Sequence, residues 1–199
     1  QIVLDYFRKE YLAGRTPNPC IRCNQQVKLG VLPQFAKDSG IDYDYFATGH
    51  YAQKYFNEQT QRYCLKTAPD LKKDQTYFLY RLSQEQINRQ LFPIGHLRKT
   101  EVREIAQQAN LPVKDSEESQ DFYCGDYKDI LGVEDTPGDI IMTNGKVLGQ
   151  HNGFWNYTIG QRKGLGVAYT EPLYVIRLNK HDNTVVVGVK EELLNSSFI

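Results

Sequence analysis

Apolar side chains near the start of the chain recur at helical spacing, which predicts a helix over residues 2–12 that Gly14 ends. The same spacing returns over residues 27–39 and predicts a second helix, followed by Gly40 as its C-terminal cap. Pro33 lies in the first half of this second segment. Because proline removes a helical hydrogen bond, we expect a late start or a kink there.

A short apolar run at residues 43–48 predicts a buried strand that leads into Gly49 and His50. A helix followed by such a strand is typical of an open α/β sheet, in which nucleotides bind beyond the carboxyl ends of the strands. Gly49 would let a ligand approach the backbone, and His50 would reach a phosphate or a base. The alternative interpretation is a turn glycine followed by a surface polar residue. Residues 51–57 and 61–67 then alternate as the two strands of a hairpin.

Three further helical segments carry no predicted chemistry. Ser83 and Gln86 have the spacing of a capping box, which predicts a helix reaching residue 91. Thr100 is the expected N-cap of the next helix, which runs to residue 109. A single helical turn is expected at residues 126–131.

The pattern becomes β-like after this turn. Asn144-Gly145 is a strong signal for a two-residue hairpin turn. Two hairpins are predicted, with strands at residues 140–143, 146–148, 174–178 and 184–189. The sequence therefore predicts an α/β domain followed by a small, mostly β domain.

Composition says more about the cellular compartment than about the function. Lys and Arg together number 24, as do Asp and Glu, so any RNA site must be a local basic patch rather than a global field. The 14 Tyr and 9 Phe residues would either fill the core or stack on unpaired bases. Four cysteines without framework spacing fit a reducing compartment, and we expect a cytoplasmic location. There is no leader-like segment and no apolar run long enough to span a bilayer, so no membrane partner is expected.

The densest candidate chemistry lies around Cys20 and Cys23. A Cys-x-x-Cys pair is consistent with half of a zinc site, a redox pair or ligands of an iron–sulfur cluster. Two prolines make residues 16–19 a stiff, extended loop. Arg15 and Arg22 flank the pair, and positive charge favours the thiolate. Structural zinc is the weaker interpretation because no second pair at similar spacing completes four ligands.

Cys124 lies in a second polar stretch, residues 114–126, that resembles an active-site loop. Neighbouring carboxylates would raise the pKa of its thiol, so activation needs a cation or metal from elsewhere in the fold. The alternative is a free structural cysteine at the end of a loop. Cys64 lies within a predicted strand, where a small core residue is the expected role.

Two stretches offer charge to phosphates. Lys73-Asp74-Gln75 follows another lysine and precedes a short helical segment that Asp74 is expected to cap. Arg162 and Lys163 lie in a glycine-rich loop, where the backbone can approach a ligand closely. Solvated surface cations are the alternative at both places.

Several motifs occur in an order that resembles the tRNA-specific 2-thiouridylase family. They are Gly14-Arg-Thr-Pro-Asn-Pro, Cys23-Asn24, Ala47-Thr-Gly-His-Tyr51, Lys73-Asp-Gln-Thr-Tyr-Phe78 and Gly160-Gln-Arg-Lys-Gly-Leu-Gly166. The resemblance covers nearly the whole chain. It implies the C-terminal portion of a Rossmann-like domain, of the adenine nucleotide α-hydrolase type found in N-type ATP pyrophosphatases, followed by a small, mostly β central domain. The family's N-terminal pyrophosphate-binding loop and most of its C-terminal β-barrel are absent from these residues, so a fragment without turnover is expected.

The domain boundaries implied by the resemblance are 1–128 for the catalytic remainder, 129–191 for the β-rich domain that positions tRNA, and 192–199 for the start of the barrel. The implied reaction is ATP-dependent adenylation of C2 of the wobble uridine, followed by sulfur transfer to give 2-thiouridine. ATP, Mg²⁺, tRNA and a sulfur donor, either a cysteine desulfurase relay or sulfide, are the implied cofactors and partners.

The implied site residues come from the matching motifs. Cys23, Cys124 and Cys20 are the catalytic candidates, with a disulfide bond of unassigned pairing, and Asn18, Pro19 and Cys20 are expected to receive the target base. Gly49 is implied in ATP binding. The residues implied in tRNA binding are His50, Lys73, Asp74, Gln75, Arg162 and Lys163.

Two departures from the family pattern leave two mechanisms open. The family's persulfide cysteine usually follows a serine by four residues, whereas Cys124 follows Ser119 by five. Many members also have Asp where this chain has Cys20, so Cys20, Cys23 and Cys124 offer three thiolates. A persulfide relay and a [4Fe-4S] cluster held by these three cysteines are therefore both consistent with the sequence. A non-catalytic module that binds RNA or a metal is the alternative function.

Overall fold

A computed structural model describes residues 1–112, 123, 125 and 127–194 of the chain. The residues divide into two compact units. The sheet unit comprises Gln1–Asn18 and Tyr123–Ile199, and the helix–hairpin unit comprises Pro19–Phe122. No helix in the described ranges has both the length and the apolar composition needed to cross a bilayer.

The chain begins with helix α1 (Ile2–Tyr11) of the sheet unit, as its periodicity predicts. Gly14 follows with a φ of +73°, a left-handed conformation that glycine adopts without strain. Phe7, only 2% exposed, faces inward from α1 and packs edge-on against Tyr127. The first helix thus contributes to the core of the sheet unit.

The second predicted helix begins earlier than its periodicity indicates. Helix α2 (Pro19–Arg22) continues directly into a π-helical segment (Cys23–Val31) and then into α3 (Leu32–Asp38). Pro19 occupies the first helical position, where its fixed φ suits a helix and its missing N–H costs nothing. Pro33 lies in the first turn of α3, and Gly40 follows its end with a φ of +82°. The prediction of a helix beginning at residue 27 was therefore wrong at its start and right at its end.

The strands of the helix–hairpin unit comprise one parallel pair and one antiparallel hairpin. Strand β1 (Phe46–Ala47) is shorter than predicted, because its pairing is limited to two residues. The prediction of a buried strand was also wrong, since Phe46 is half-buried and Ala47 is exposed. The predicted hairpin is confirmed as β2 (Ala52–Asn57) and β3 (Arg62–Thr67). Helix α4 (Gln84–Arg89) ends before the predicted residue 91 because Gln90–Leu91 form β4, the parallel partner of β1.

The capping box at Ser83 is confirmed, since its side chain accepts from Gln86 N and its own N–H donates to the Gln86 amide oxygen. Helix α5 (Lys99–Gln108) begins one residue before the predicted cap Thr100. The N-cap residue is Arg98, and Glu101 accepts its backbone N–H. The buried core of this unit contains Leu29, Ala52, Leu79, Leu82 and Ile87.

The remainder of the sheet unit follows the predicted order. Helix α6 (Tyr127–Leu131) precedes a four-stranded sheet of order β6-β5-β8-β7. Its strands are β5 (Gly138–Met142), β6 (Val147–His151), β7 (Tyr174–Asn179) and β8 (Thr184–Gly188). The first hairpin turns at Gly145, which has a φ of +86°, and β5 pairs in parallel with β8.

Candidate active site

Cys20 and Cys23 lie on one helical run rather than in a loop. Cys20 is the second residue of α2 and is exposed, whereas Cys23 opens the π-helical segment and is half-buried. Because residues three apart on a helix are neighbours, the two thiols lie on the same side of it. Both are free thiols. Asn18 and Pro19, the other candidates for receiving a base, are half-buried.

Asn24, the residue after Cys23, connects the cysteine helix to the end of β1. Asn24 is 5% exposed, and its Oδ1 lies 3.1 Å from His50 Nε2. Its Nδ2 donates to Phe78 O at 3.4 Å. On the far side of the ring, His50 Nδ1 lies 2.8 Å from Thr48 Oγ1. Asn24, His50 and Thr48 therefore form one hydrogen-bonded chain, which we call the Asn24 chain.

The orientation of Asn24 assigns the tautomer of His50. Because Asn24 uses its amide nitrogen on Phe78 O, its oxygen faces His50 and accepts the Nε2 proton. His50 Nδ1 then accepts from the Thr48 hydroxyl. Burial, with a smaller contribution from the charge of nearby Lys28, lowers the pKa of His50 to about 4. His50 is thus a neutral, buried ring at neutral pH.

A cleft of about 450 Å³ opens at the carboxyl end of β1. It is lined by Lys28, Leu32, Phe46, Ala47, Thr48, Gly49, His50 and Gln75. Gly49 has no left-handed φ, and a Cβ placed there would meet only Ile94 Cδ1 at 3.8 Å. Packing therefore does not require glycine at this position, in contrast to Gly95, whose Cβ would lie 1.8 Å from Ala52 O.

Asp74 and Gln75 are both engaged by backbone groups of their own unit. Asp74 accepts from Ala68 N at 2.8 Å and from the Thr76 hydroxyl at 2.5 Å. It thus stabilises the turn before the short 3₁₀ helix, although that helix has Gln75 as its N-cap residue. Gln75 Oε1 accepts the N–H of Tyr51 at 2.9 Å, and Gln75 N donates back to Tyr51 O. Lys73, which precedes them, is half-buried.

The π-helical segment that carries Cys23 is held by a side chain from α4. Gln86 Nε2 donates to Gln25 O at 2.7 Å and to Leu29 O at 2.9 Å. A π-helical turn frees carbonyl groups from the regular ladder, and such turns are frequent at functional sites. The sequence revealed Gln86 as a capping residue but gave no sign of this second role.

The glycine-rich loop belongs to the sheet unit and is tied to β7. Gly160 N donates to Val175 O at 2.8 Å, and Val175 N donates to Gln161 O at 2.9 Å. The side chain of Gln161 donates to Lys163 O at 2.9 Å. These contacts fix the loop while Arg162 and Lys163 remain exposed. Arg162 lines an open cavity of about 530 Å³.

Metal ligation by the third cysteine lies beyond what the structure describes. Within residues 1–112, 123, 125 and 127–194, no three His, Cys, Asp or Glu side chains form a metal-binding group. Cys124 and Ser119 fall outside the described residues. Cys64 is half-buried on β3, outside the core, with its thiol 3.9 Å from Arg62 O.

Two family models match the chain, a tRNA methyl transferase HUP domain over residues 1–124 and a tRNA methyl transferase PRC-barrel domain over residues 128–189. The tRNA-specific 2-thiouridylase MnmA of Endomicrobium trichonymphae is 53% identical over 99% of this chain and 55% of its own length. The enzyme of the same name from Moorella thermoacetica is 48% identical over 96% of this chain and 55% of its own length.

The chain belongs to the tRNA-specific 2-thiouridylase family. The fold class predicted from the sequence is confirmed, because the HUP domain is a Rossmann-like nucleotide-binding domain and a small β domain follows it. The chain spans about half the length of the curated relatives it matches.

Proposed function

We propose that the protein containing this chain transfers sulfur to C2 of the wobble uridine of tRNA after ATP has activated the C2 oxygen. The observation that carries the proposal is the Asn24 chain. In this chain Asn24, the residue after Cys23, is hydrogen-bonded to His50, and His50 lines the same cleft as Gly49. A sulfur-transfer enzyme needs its thiols beside its nucleotide site, since activation and displacement occur at one carbon atom.

Sulfur transfer suits these residues better than methyl transfer, the reaction in the family models' description. Carbonyl oxygen is a poor leaving group, so ATP adenylates it and pyrophosphate departs. A sulfur nucleophile then attacks C2 and AMP leaves. These two steps require a sulfur nucleophile and a nucleotide site. The neighbouring thiols of Cys20 and Cys23 would provide the first, and the cleft at the end of β1 would provide the second. Mg²⁺ would balance the phosphate charge.

The sulfur would follow one of two routes. In a persulfide relay, the terminal sulfur on Cys124 attacks C2. The Cys23 thiolate then attacks the inner sulfur of Cys124, which leaves sulfur on the tRNA and a disulfide for an external thiol to reduce. In the second route, Cys20, Cys23 and Cys124 would hold an iron–sulfur cluster that would bind a sulfide from the donor and present it for transfer to C2. The donor would be a cysteine desulfurase relay or free sulfide.

The remaining roles belong to the same proposal. Asn18, Pro19 and Cys20 receive the flipped base, and Gly49 contacts ATP. Lys73, Arg162 and Lys163 contact tRNA phosphates through charge. His50, Asp74 and Gln75 contribute to tRNA binding by shaping the cleft and its rim, since their polar atoms hold backbone and side-chain partners. A cytoplasmic location and the predicted domain boundaries remain predictions.

Replacing Cys23 by Ala in the natural full-length protein tests the proposal. We expect 2-thiouridine to vanish from tRNA nucleosides analysed by mass spectrometry, while tRNA binding persists. Cys64→Ala is the matched control, because this half-buried thiol lies on β3, and it should retain activity. Normal thiolation by the Cys23→Ala variant would refute the proposed role and favour a non-catalytic RNA- or metal-binding module.

A further inference from the structure

Two tyrosines after the Lys73-Asp74-Gln75 segment are exposed side by side. Tyr77 and Tyr80 are each 63% exposed, and their ring centroids lie 6.3 Å apart. Neither residue has a role in the function proposed above. Single exposed apolar side chains are common, whereas two adjacent exposed rings form a patch of the kind that marks an interaction site.

The backbone explains why both rings point the same way. Thr76–Phe78 form a 3₁₀ helix, and Leu79 N donates to Thr76 O in the same pattern. Side chains three residues apart eclipse one another in 3₁₀ geometry, so Tyr77 and Tyr80 share one side. Leu79 and Leu82 fill the opposite side, where they are 1% and 8% exposed. Burial of these leucines fixes the tyrosines outward.

The segment is further anchored at both ends by hydrogen bonds. Asp74 accepts from Thr76 N, and Asn24 Nδ2 donates to Phe78 O. The tyrosines are therefore presented by a fixed turn next to the Asn24 chain. A rigid aromatic side chain has few rotamers to lose on binding, so such a platform binds at a low cost in entropy.

The charge around the tyrosines suits a polyanion. Lys72 and Arg81 are exposed and Lys73 is half-buried. Both carboxylates of this segment accept backbone hydrogen bonds, Asp70 from Lys99 N and Asp74 from Ala68 N. The three cations thus outnumber the two carboxylates, and Lys72 and Arg81 are more exposed than either carboxylate. Aromatic rings interleaved with basic side chains are typical of surfaces that bind single-stranded nucleic acid.

We infer that Tyr77 and Tyr80 form a stacking platform for unpaired bases of the RNA substrate. This inference rests on the proposed function and adds a site to it. Extruding a target base from its stack leaves neighbouring bases unstacked, and aromatic rings recover part of the lost stacking energy. Lys72, Lys73 and Arg81 hold the phosphates of the same strand.

The test compares Tyr77→Ala/Tyr80→Ala with Tyr77→Phe/Tyr80→Phe in the full-length protein. Affinity is measured for substrate tRNA and for a fully paired RNA duplex over a range of salt concentrations. We expect the Ala pair to bind tRNA about 5- to 100-fold more weakly, with an unchanged salt slope and unchanged duplex affinity. The Phe pair keeps both rings and should bind as the wild type does. Tyr55→Ala removes an exposed tyrosine on β2 and serves as the control.

Wild-type tRNA affinity in the Ala pair would overturn the inference, as would an equal loss in the Phe pair. Normal tRNA binding combined with slower sulfur delivery would instead assign the tyrosines to a protein donor. Thiolation by the wild-type protein is measured in parallel. Normal thiolation together with unchanged tRNA affinity in the Ala pair would refute only the platform, whereas absence of thiolation in the wild type would refute the proposed function. If the wild-type protein binds no tRNA, both proposals are wrong.

Discussion

The Nε2 atom of His50 lies 3.1 Å from the Oδ1 atom of Asn24, and this contact joins the cysteine helix to the carboxyl end of β1. Both residues are buried, with exposures of 8% and 5%. A buried polar pair in which each group has a partner is stabilising, whereas removal of one partner leaves a costly orphan. Because Cys23 precedes Asn24 and Gly49 precedes His50, the contact holds Cys23 and Gly49 at a fixed distance from each other.

The low pKa of His50 predicts a loss of stability in mild acid. The folded ring titrates at about 4 and an unfolded histidine at about 6.5, so only the unfolded chain binds the proton between these values. The stability that the neutral His50 ring contributes is therefore fully present above pH 6.5 and is lost as the pH falls from 6.5 towards 4. Between pH 7.5 and 5 we expect His50 to account for about 2 kcal/mol of the loss in unfolding free energy.

Asn24→Asp is the matched variant for this prediction. A carboxylate opposite Nε2 favours the protonated ring, so the pKa of His50 should rise and part of the acid sensitivity should disappear. NMR titration of the His50 ring and urea unfolding at the two pH values measure both effects. His151 is also buried with a lowered pKa, so His50→Gln identifies the share that belongs to His50. An acid profile unaltered by either substitution would contradict the assignment.

Gly49 and Gly95 are predicted to respond oppositely to alanine. A Cβ at Gly49 fits without a close contact, so Gly49→Ala should melt as the wild type does but bind ATP at least about tenfold more weakly. A Cβ at Gly95 would overlap Ala52 O, so Gly95→Ala should destabilise the fold. Thermal melting and calorimetric ATP titration of the full-length variants provide the measurements. Normal ATP affinity in Gly49→Ala would remove Gly49 from the nucleotide site.

Local signals in the sequence predicted elements better than they predicted the site. The Asn144-Gly145 hairpin and the Ser83 capping box depend on nearby residues, and both were correctly predicted, although residues 143–146 rather than two residues connect β5 to β6. The start of the cysteine helix at Pro19 was missed because the apolar period emerges only later. Asn24 belongs to a recognisable motif, but its bond to His50 joins residues far apart in sequence, which no periodicity reveals.

Gln86 is predicted to matter more than its capping partner. Ser83→Ala removes one capping hydrogen bond and should cost about 1 kcal/mol of unfolding free energy. Gln86→Ala removes the capping acceptor of Ser83 N and also the donor to Gln25 O and Leu29 O. It should therefore lower the unfolding free energy by at least about 1 kcal/mol more than Ser83→Ala does. Urea unfolding compares the two variants. Equal losses would show that the contacts with the π-helical segment contribute nothing to stability.

Arg162 and Lys163 are predicted to bind phosphate from their exposed loop. Replacing both by Ala should weaken tRNA binding and reduce the magnitude of the salt slope by about 1.5, because two counterion-releasing contacts are lost. Lys146→Ala/Lys180→Ala removes the same charge from two exposed hairpin positions and should leave the slope closer to the wild-type value. Filter binding at several salt concentrations measures both. An equal effect of the two pairs would indicate general charge attraction instead of a local site.

Cys20 distinguishes the two sulfur routes, because the relay assigns it no sulfur-carrying step and the cluster requires it as a ligand. After anaerobic purification of the full-length protein, the cluster route predicts about four irons and four sulfides per chain, lost in Cys20→Ala. Cys64→Ala should retain the metal, since this thiol lies on β3. The relay predicts no iron after anaerobic reconstitution, sulfur on Cys124 by mass spectrometry, and thiolation that Cys20→Ala slows through weaker base binding without abolishing it. Exposure of Cys20 makes its substitution mild for folding, so a loss of iron in that variant reports on ligation of the cluster.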